Sequence, residues 1–400
     1  MKAVILAAGE GIRLRPFTIT RPKVMIPVAN KPIMEYVISA LSNSGIHNLI
    51  IVVGYKKESV MDYFEDGQDF GANIRYVEQA QQLGTANAIK RVSRYIDDKF
   101  LVLNGDNLIE SSAILDLLED GSANGTSILT VTKEQTEGYG VVKTDNGRIT
   151  KIIEKPKHMV GNLVNTGIYL FSPSIFDEID ETSISERGEY DITDTLQQMI
   201  ESGTKVSSVH TKSNWADAAY PWDLLVVNSS ILGDIKGKNS GEIEEEVVIK
   251  GEVIIGEGCI IRSGSYIIGP VVIGRDCEIG PNVTITPSTS IGDGVFISPN
   301  SVIENSILMN DVKIGPNSCI FGSIIGENTT LGAGFVTEHI PSKAICADEL
   351  ISVDMGAVIG ENCTIDCRTL TKTGCIVGVN CKVTSGKVIS GNLPNNSIVI

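Results

Sequence analysis

Nine isoleucines stand six residues apart in this chain: Ile255, Ile261, Ile267, Ile273, Ile279, Ile285, Ile291, Ile297 and Ile303. Gly256, Gly274, Gly280 and Gly292 directly follow four of them. Four residues after each isoleucine comes a small or branched side chain: Cys259, Ser265, Val271, Cys277, Val283, Thr289, Val295, Ser301 and Ile307. Neither the helical period of 3.6 nor the strand period of 2 produces this spacing. A hexapeptide repeat is the pattern of a parallel β-helix, with three hexapeptides closing one triangular coil of about 18 residues. Each isoleucine then fills the interior of a face, and the small residue fits near a corner. The register slips near Leu308 and resumes at Ile314, Ile320 and Leu331. It breaks over 335–356 and returns with Ile359, Ile365, Val377 and Val383. The break contains Pro341 and Asp348-Glu349 and reads as a segment looped out of a coil.

All eight cysteines lie beyond residue 250. Cys259 and Cys277 are one coil apart, as are Cys363 and Cys381, so each pair is expected to stack at a corner as small buried hydrophobes. No histidine or carboxylate keeps step with them, which argues against a metal site, and no disulfide framework is expected. The net charge of −16 argues against nucleic acid or anionic lipid as partners. No apolar run approaches the ~18 residues of a membrane span. The apolar start is too short for a signal peptide and reads as a first strand. A cytoplasmic protein is expected.

The first half has a different grammar. Leu49–Val53 and Phe100–Leu103 read as strands, each after an amphipathic helical stretch (Ile33–Leu41 and Thr85–Tyr95). Such alternation predicts an α/β domain over 1–228 with a mostly parallel sheet. A polar, glycine-containing linker is expected over 229–250, and the repeat domain over 251–400. Ligands of such sheets bind outside the carboxyl ends of the strands. Two features fall there. One is the loop after the first apolar run, with Gly9, Gly11, Arg13, Leu14, Pro16, Thr18, Pro22 and Lys23. Its glycines let backbone N–H groups approach an anion, and Arg13 and Lys23 bring positive charge to a polyphosphate. The other is Asn104-Gly105-Asp106, directly after a strand.

The loop resembles the Gly-x-Gly-x-Arg-Leu-x-Pro-x-Thr signature, with its later Pro-Lys, of the sugar-1-phosphate nucleotidylyltransferases. The second half resembles the left-handed β-helix of the hexapeptide-repeat family. The resemblance implies a Rossmann-like mixed sheet followed by a left-handed parallel β-helix. It also implies transfer of a nucleoside monophosphate from UTP or dTTP to glucose-1-phosphate or N-acetylglucosamine-1-phosphate, with release of pyrophosphate. Mg²⁺ is the expected cofactor, held by Asp106 and by Asp217 of Trp215-Ala216-Asp217. In the same resemblance Arg13, Lys23 and Lys155 are catalytic cations. Ala8, Gly9, Gly11, Gln79, Gln82, Gly84 and Thr85 bind the nucleotide. Gly140, Glu154, Asn165 and Thr166 form the sugar pocket. Ala218-Ala219 departs from the family's more usual Thr/Ile/Val-Gly after the aspartate.

Some relatives carry an acetyltransferase in the β-helix, built on a His-x-x-Tyr-x-Gly-Asp-like stretch. Pro316 and Cys319 stand at the histidine and tyrosine positions here, and His339 lies in the looped-out segment. An acetyltransferase of the usual kind is therefore not expected, and acetyl-CoA is a doubtful cofactor. An acyltransferase of another specificity stays open, with His339 as a relocated base, and so does a non-catalytic regulatory or assembly subunit. A repeat helix with flat faces is expected to form a homo-oligomer, a trimer through the β-helix.

Overall fold

The computed structural model describes the chain except for residues 122–124, 135, 137, 157, 186–187 and 347–348. Its contacts form two units that interleave at the N-terminus. One comprises Met1–Glu10, Pro22–Met25 and Ile33–Asp217, the other Gly11–Arg21, Ile26–Pro32 and Ala218–Ile400. The sequence suggested one cut near 228, because segments of eleven and seven residues are too short to show their allegiance by composition.

The first unit is built on a nine-stranded sheet. Its strands are β1 (Lys2–Ala7), β2 (Asn48–Val53), β3 (Asn73–Glu78), β4 (Phe100–Asn104), β6 (Thr126–Thr132), β7 (Val141–Asp145), β8 (Arg148–Ile153), β9 (Leu163–Phe171) and β10 (Val206–His210). A short ribbon pairs β5 (Asn107–Ile109) with β11 (Trp215–Asp217). The sheet order is β3-β2-β1-β4-β9-β6-β10-β8-β7. β1 to β4 run parallel, and β9 enters antiparallel beside β4. Both faces are covered, so the central strands read as unbroken apolar runs. Helices α1 (Ile33–Asn43) and α3 (Ser111–Gly121) bury Met34, Val37, Ile38, Leu41, Ile114 and Leu117 on one face. On the other face α2 (Thr85–Lys90) and α4 (Ile192–Glu201) bury Ala86, Ile89, Leu196 and Met199. The helix expected to reach Tyr95 ends at Lys90 and is followed by a 3₁₀ turn, Ser93–Tyr95.

In the second unit three parallel sheets of nine, nine and eight strands form a parallel β-helix, consistent with left-handed coiling. All nine repeating isoleucines are buried in its core. Val272 pairs with Ser290, but Ser290 pairs with Ile307, so the coil shortens by one residue where the sequence register slips. The corner thiols donate to carbonyls one coil on: Cys259 Sγ to Gly274 O at 2.9 Å, Cys277 Sγ to Gly292 O at 3.0 Å and Cys363 Sγ to Gly378 O at 3.1 Å. Burial pushes the Cys363 thiol up to about 12, which keeps it protonated and unreactive. Ser265 Oγ does the same to Gly280 O at 2.8 Å.

Two boundaries differ from expectation. Helix α5 (Pro221–Gly233) runs through residue 228, and most of the expected linker is the first coil. Lys238–Asn239, Glu242–Ile243 and Val248–Lys250 pair with Ile254–Ile255, Ile260–Ile261 and Tyr266–Ile268. An end coil has a neighbour on one side only, so its composition is more polar, yet Ile243, Val247 and Ile249 still pack on the core. The looped-out segment also starts later than residue 335. Phe335 is fully buried and Val336–Thr337 pairs with Leu370–Thr371. The excursion is an antiparallel hairpin of Ser342–Cys346 and Glu349–Val353; Asp348 lies outside the described residues.

Candidate active site

Within the first unit, the carboxyl ends of β1 to β4 bring the candidate residues together. Ala8 and Gly9 follow β1, Gly54 follows β2, Gln79 follows β3, and Asn104-Gly105-Asp106 leads out of β4. Tyr55 N–H donates to Ala8 O at 3.0 Å, and Gln82 Nε2 donates to the same carbonyl at 3.0 Å. Gln82 thus ties the segment after β3 to the start of the glycine loop. Sequence reasoning missed Gly54. A Cβ there would lie 2.8 Å from Ala8 O and 3.0 Å from Gln79 O, so only glycine lets these backbones close up. Its signal was a glycine ending an apolar strand.

Gln79 is buried, and its Nε2 donates to Gly84 O and Asn87 Oδ1, both at 3.0 Å. Its NH₂ is therefore committed within the loop, and Oε1 is the atom it offers as an acceptor. Gly84 has φ +98°, and a Cβ there would overlap the Tyr190 carbonyl. Tyr190 in turn accepts from Ala86 N–H at 2.9 Å and donates to Leu83 O at 2.8 Å. Thr85 does not present its hydroxyl freely: Oγ1 accepts Ile192 N–H at 2.9 Å, joining the starts of α2 and α4.

The acidic centre is built by the β5–β11 ribbon. Asp217 pairs in register with Asn107, the neighbour of Asp106. Lys23 forms an ion pair with Asp106, and both side chains are largely buried. Tyr139 Oη donates to Asp217 Oδ1 at 2.9 Å. Lys133 lies over the rings of Tyr139 and Trp215, at 4.7 and 4.6 Å from their centroids. Burial, then the negative charge of Asp106, push the Asp217 carboxyl above the usual carboxylate range. A divalent cation would remove both penalties, so this pair fits Mg²⁺, a hard ion that takes one or two carboxylates with water and phosphate oxygens. Lys133 and Tyr139 were not assigned a role from sequence. Their partner Trp215 entered only as part of the motif that carries Asp217, and the fold sets all three around that carboxylate.

Of the residues expected around the sugar, Gly140, Glu154 and Asn165 are neighbours. Glu154 Oε2 lies against Gly140, and Gly140 O accepts Asn165 N–H at 2.8 Å. Lys155 sits at φ +43°, with its N–H on Tyr139 O at 3.2 Å and its ammonium 3.8 Å from Glu154. Two members turn inward instead. Thr166 Oγ1 donates to Leu129 O at 2.8 Å and Thr166 O accepts Asn107 Nδ2 at 2.9 Å. Asn165 Nδ2 donates to Tyr169 Oη at 3.0 Å, and its Oδ1 accepts Gly167 N–H at 2.9 Å. These groups brace β9.

Gly11 and Arg13 belong to the second unit. Gly11 takes φ +76° and opens a 3₁₀ turn, Ile12–Leu14. Thr18 Oγ1 donates back to Gly11 O at 3.2 Å. The Arg13 guanidinium stacks 5.3 Å from the Tyr220 ring centroid. In the excursion, His339 Nε2 lies 3.0 Å from Asp354 Oδ1. No helix among the described residues is long and apolar enough to cross a membrane.

The chain matches known proteins over both halves. The family model described as Nucleotidyl transferase matches residues 2–233, and the GMPPB C-terminal domain model matches 267–355. The chain is 37% identical over 407 residues to the bifunctional protein GlmU of Methanocaldococcus jannaschii, covering all of this chain and 97% of that one. It is 36% identical over 332 residues to a glucose-1-phosphate thymidylyltransferase of Streptomyces antibioticus, covering 82% and 92%. A crystal structure of UDP-glucose pyrophosphorylase with UDP-glucose aligns at TM-score 0.52 and 25% identity, over 58% of this chain and 99% of that one.

Proposed function

The chain belongs to the nucleotidyl transferase family, and from that premise we propose that it joins UTP or dTTP to glucose-1-phosphate or N-acetylglucosamine-1-phosphate. The products are a nucleotide sugar and pyrophosphate. A phosphate oxygen of the sugar attacks the α-phosphorus in line; the new P–O bond forms as the bond to the β-phosphate bridging oxygen breaks. The attacking phosphate is already ionised, so no general base is needed, and catalysis reduces to positioning and charge stabilisation. Backbone N–H groups of Gly9 and Gly11 hold phosphate oxygens. Arg13 and Lys23 offset the charge on the triphosphate, and Lys155 holds the sugar phosphate beside Glu154. When bound by Asp106 and Asp217, Mg²⁺ supplies further charge compensation at the triphosphate. Gln79 Oε1 offers the acceptor that the N3–H of uracil or thymine requires.

The observation that carries this reading is the pairing of Lys23 with Asp106 beside a half-buried Asp217 that accepts the Tyr139 hydroxyl. Its test is pyrophosphate release with Mg²⁺ for UTP, dTTP, ATP, CTP and GTP against both sugar phosphates. Turnover with a uridine or thymidine nucleotide is the expected result. Silence across the grid from folded protein overturns it in favour of an assembly subunit.

The His339–Asp354 contact favours a second reading for the β-helix, an acyl transfer with His339 as base. CoA release from acetyl-CoA with an amino-sugar phosphate, lost in His339→Ala, is its test. The β-helix is also proposed to assemble a homotrimer, since Phe296, Val248 and Val388 are exposed on its faces; sedimentation velocity reads the mass.

A further inference from the structure

Within the second unit, the Gly11–Arg21 segment is tied to the β-helix at Arg13 and at Thr20-Arg21. Glu327 and Glu361 stand two residues after Ile325 and Ile359, which pair in adjacent coils. Between them in sequence lies the excursion hairpin. Arg21 reaches both carboxylates: Nη2 lies 2.7 Å from Glu361 Oε1 and 2.8 Å from Glu327 Oε2, and Nη1 donates to Glu327 Oε1 at 3.0 Å. Thr20 Oγ1 adds a hydrogen bond to Glu361 Oε1 at 2.8 Å. The Arg21 side chain is 18% exposed and that of Glu361 only 6%. At the other end, Cys346 of the hairpin donates through Sγ to Arg13 O at 3.2 Å.

A largely buried ion cluster is a poor way to gain stability, because desolvation offsets most of the attraction. What such a cluster supplies is geometry. A guanidinium fork held by two carboxylates fixes position and orientation far better than a single surface ion pair. The loop so fixed is the one that carries Arg13. Pro22 and Lys23 follow Arg21 directly in sequence.

We propose that Glu327 and Glu361 are positioning residues for nucleotidyl transfer. Through Arg21 they hold the Gly11–Arg21 loop in the conformation that presents Arg13 to the triphosphate. The β-helix thereby sets nucleotide affinity although neither glutamate contacts substrate. The proposal rests on the reading of the site as a nucleotidyltransferase.

The test compares the full-length chain with Glu327→Gln/Glu361→Gln, and with Arg21→Lys, which keeps charge but loses the fork. Steady-state pyrophosphate release gives KM for UTP or dTTP and for the sugar phosphate separately. Hydrogen–deuterium exchange reports residues 11–21 against 100–104 without any need for activity. The expected result is a tenfold or greater rise in nucleotide KM in the double variant. Sugar-phosphate KM should stay within twofold, exchange at 11–21 should rise at least tenfold, and 100–104 should be unchanged. Arg21→Lys should fall between the double variant and the parent. Unchanged exchange at 11–21, or equal losses toward both substrates, overturns the proposal. If the double variant does not fold, Arg21→Lys alone decides on the same two readouts. An inactive parent whose variants still free the loop refutes the assigned reaction and leaves the clamp standing.

Discussion

Tyr139 gives its hydroxyl hydrogen to a carboxylate that burial already penalises. A hydrogen bond to a charged group is worth about 1.5–3 kcal/mol. Tyr139→Phe should therefore raise the Mg²⁺ concentration for half-maximal rate about tenfold or more. Asp106→Asn removes a proposed metal ligand and leaves Lys23 with a neutral partner. Mg²⁺-dependent pyrophosphate release should fall below detection while the far-ultraviolet circular dichroism stays that of the parent; full turnover would remove Asp106 from the metal site. At this scale the sequence nominates residues by their type beyond the ends of strands, as with Lys23 and Asp106, which the fold joins in one ion pair, and Asp217, which it sets in register with the neighbour of Asp106. It was least legible where a side chain's direction is set by distant strands. Nothing near Thr166 announces that its hydroxyl is used by Leu129, or that Tyr190 would stand against Gly84 from more than a hundred residues away.

Repetition made the β-helix readable as an element. Each coil solves the same packing problem, so the same side chains recur, and the isoleucine period alone locates the core. Ile285 is fully buried in that core. Ile285→Ala should cost about 2–5 kcal/mol by lost transfer energy and a residual cavity, measured as a fall in the midpoint of chemical unfolding. Gly256→Ala tests the corner. A Cβ there would overlap Gly274 O and sit 2.6 Å from its carbonyl carbon. Both are backbone atoms of the next coil and cannot rotate away, so a loss of about 1–3 kcal/mol is expected. A Gly256→Ala chain as stable as the parent would mean that adjacent coils can separate there at little cost. The end coil escaped the sequence reading because half of what marks a coil is the neighbour it lacks. The acidic run Glu242–Glu246 looked like solvated linker, yet Glu244 pairs with Arg262 of the next coil at 2.8 Å.

Between Glu10 and Ile33 the chain passes from one contact unit to the other four times. No composition change marks these passages, which is why a sequence-level boundary near 228 misses them. Their thermodynamic consequence can be measured. If the second unit unfolds, Gly11–Arg21 and Ile26–Pro32 lose their partners, and the single short piece Pro22–Met25, bearing Lys23, Val24 and Met25, is left tethered between two unfolded segments. Val24 and Met25 belong to the first unit's core, so disorder in one unit removes apolar contacts from the other. Calorimetry of the full chain should accordingly show one endotherm with calorimetric and van't Hoff enthalpies close to equal. A ligand that binds only the folded chain stabilises it by RT ln(1 + [L]/Kd), about 2.7 kcal/mol at one hundred times Kd. Saturating UTP or dTTP with Mg²⁺ should therefore move that single endotherm upward as a whole. Two separated endotherms, with only one moved by nucleotide, would show that the interleaved segments do not couple the units, and that each half keeps its own stability.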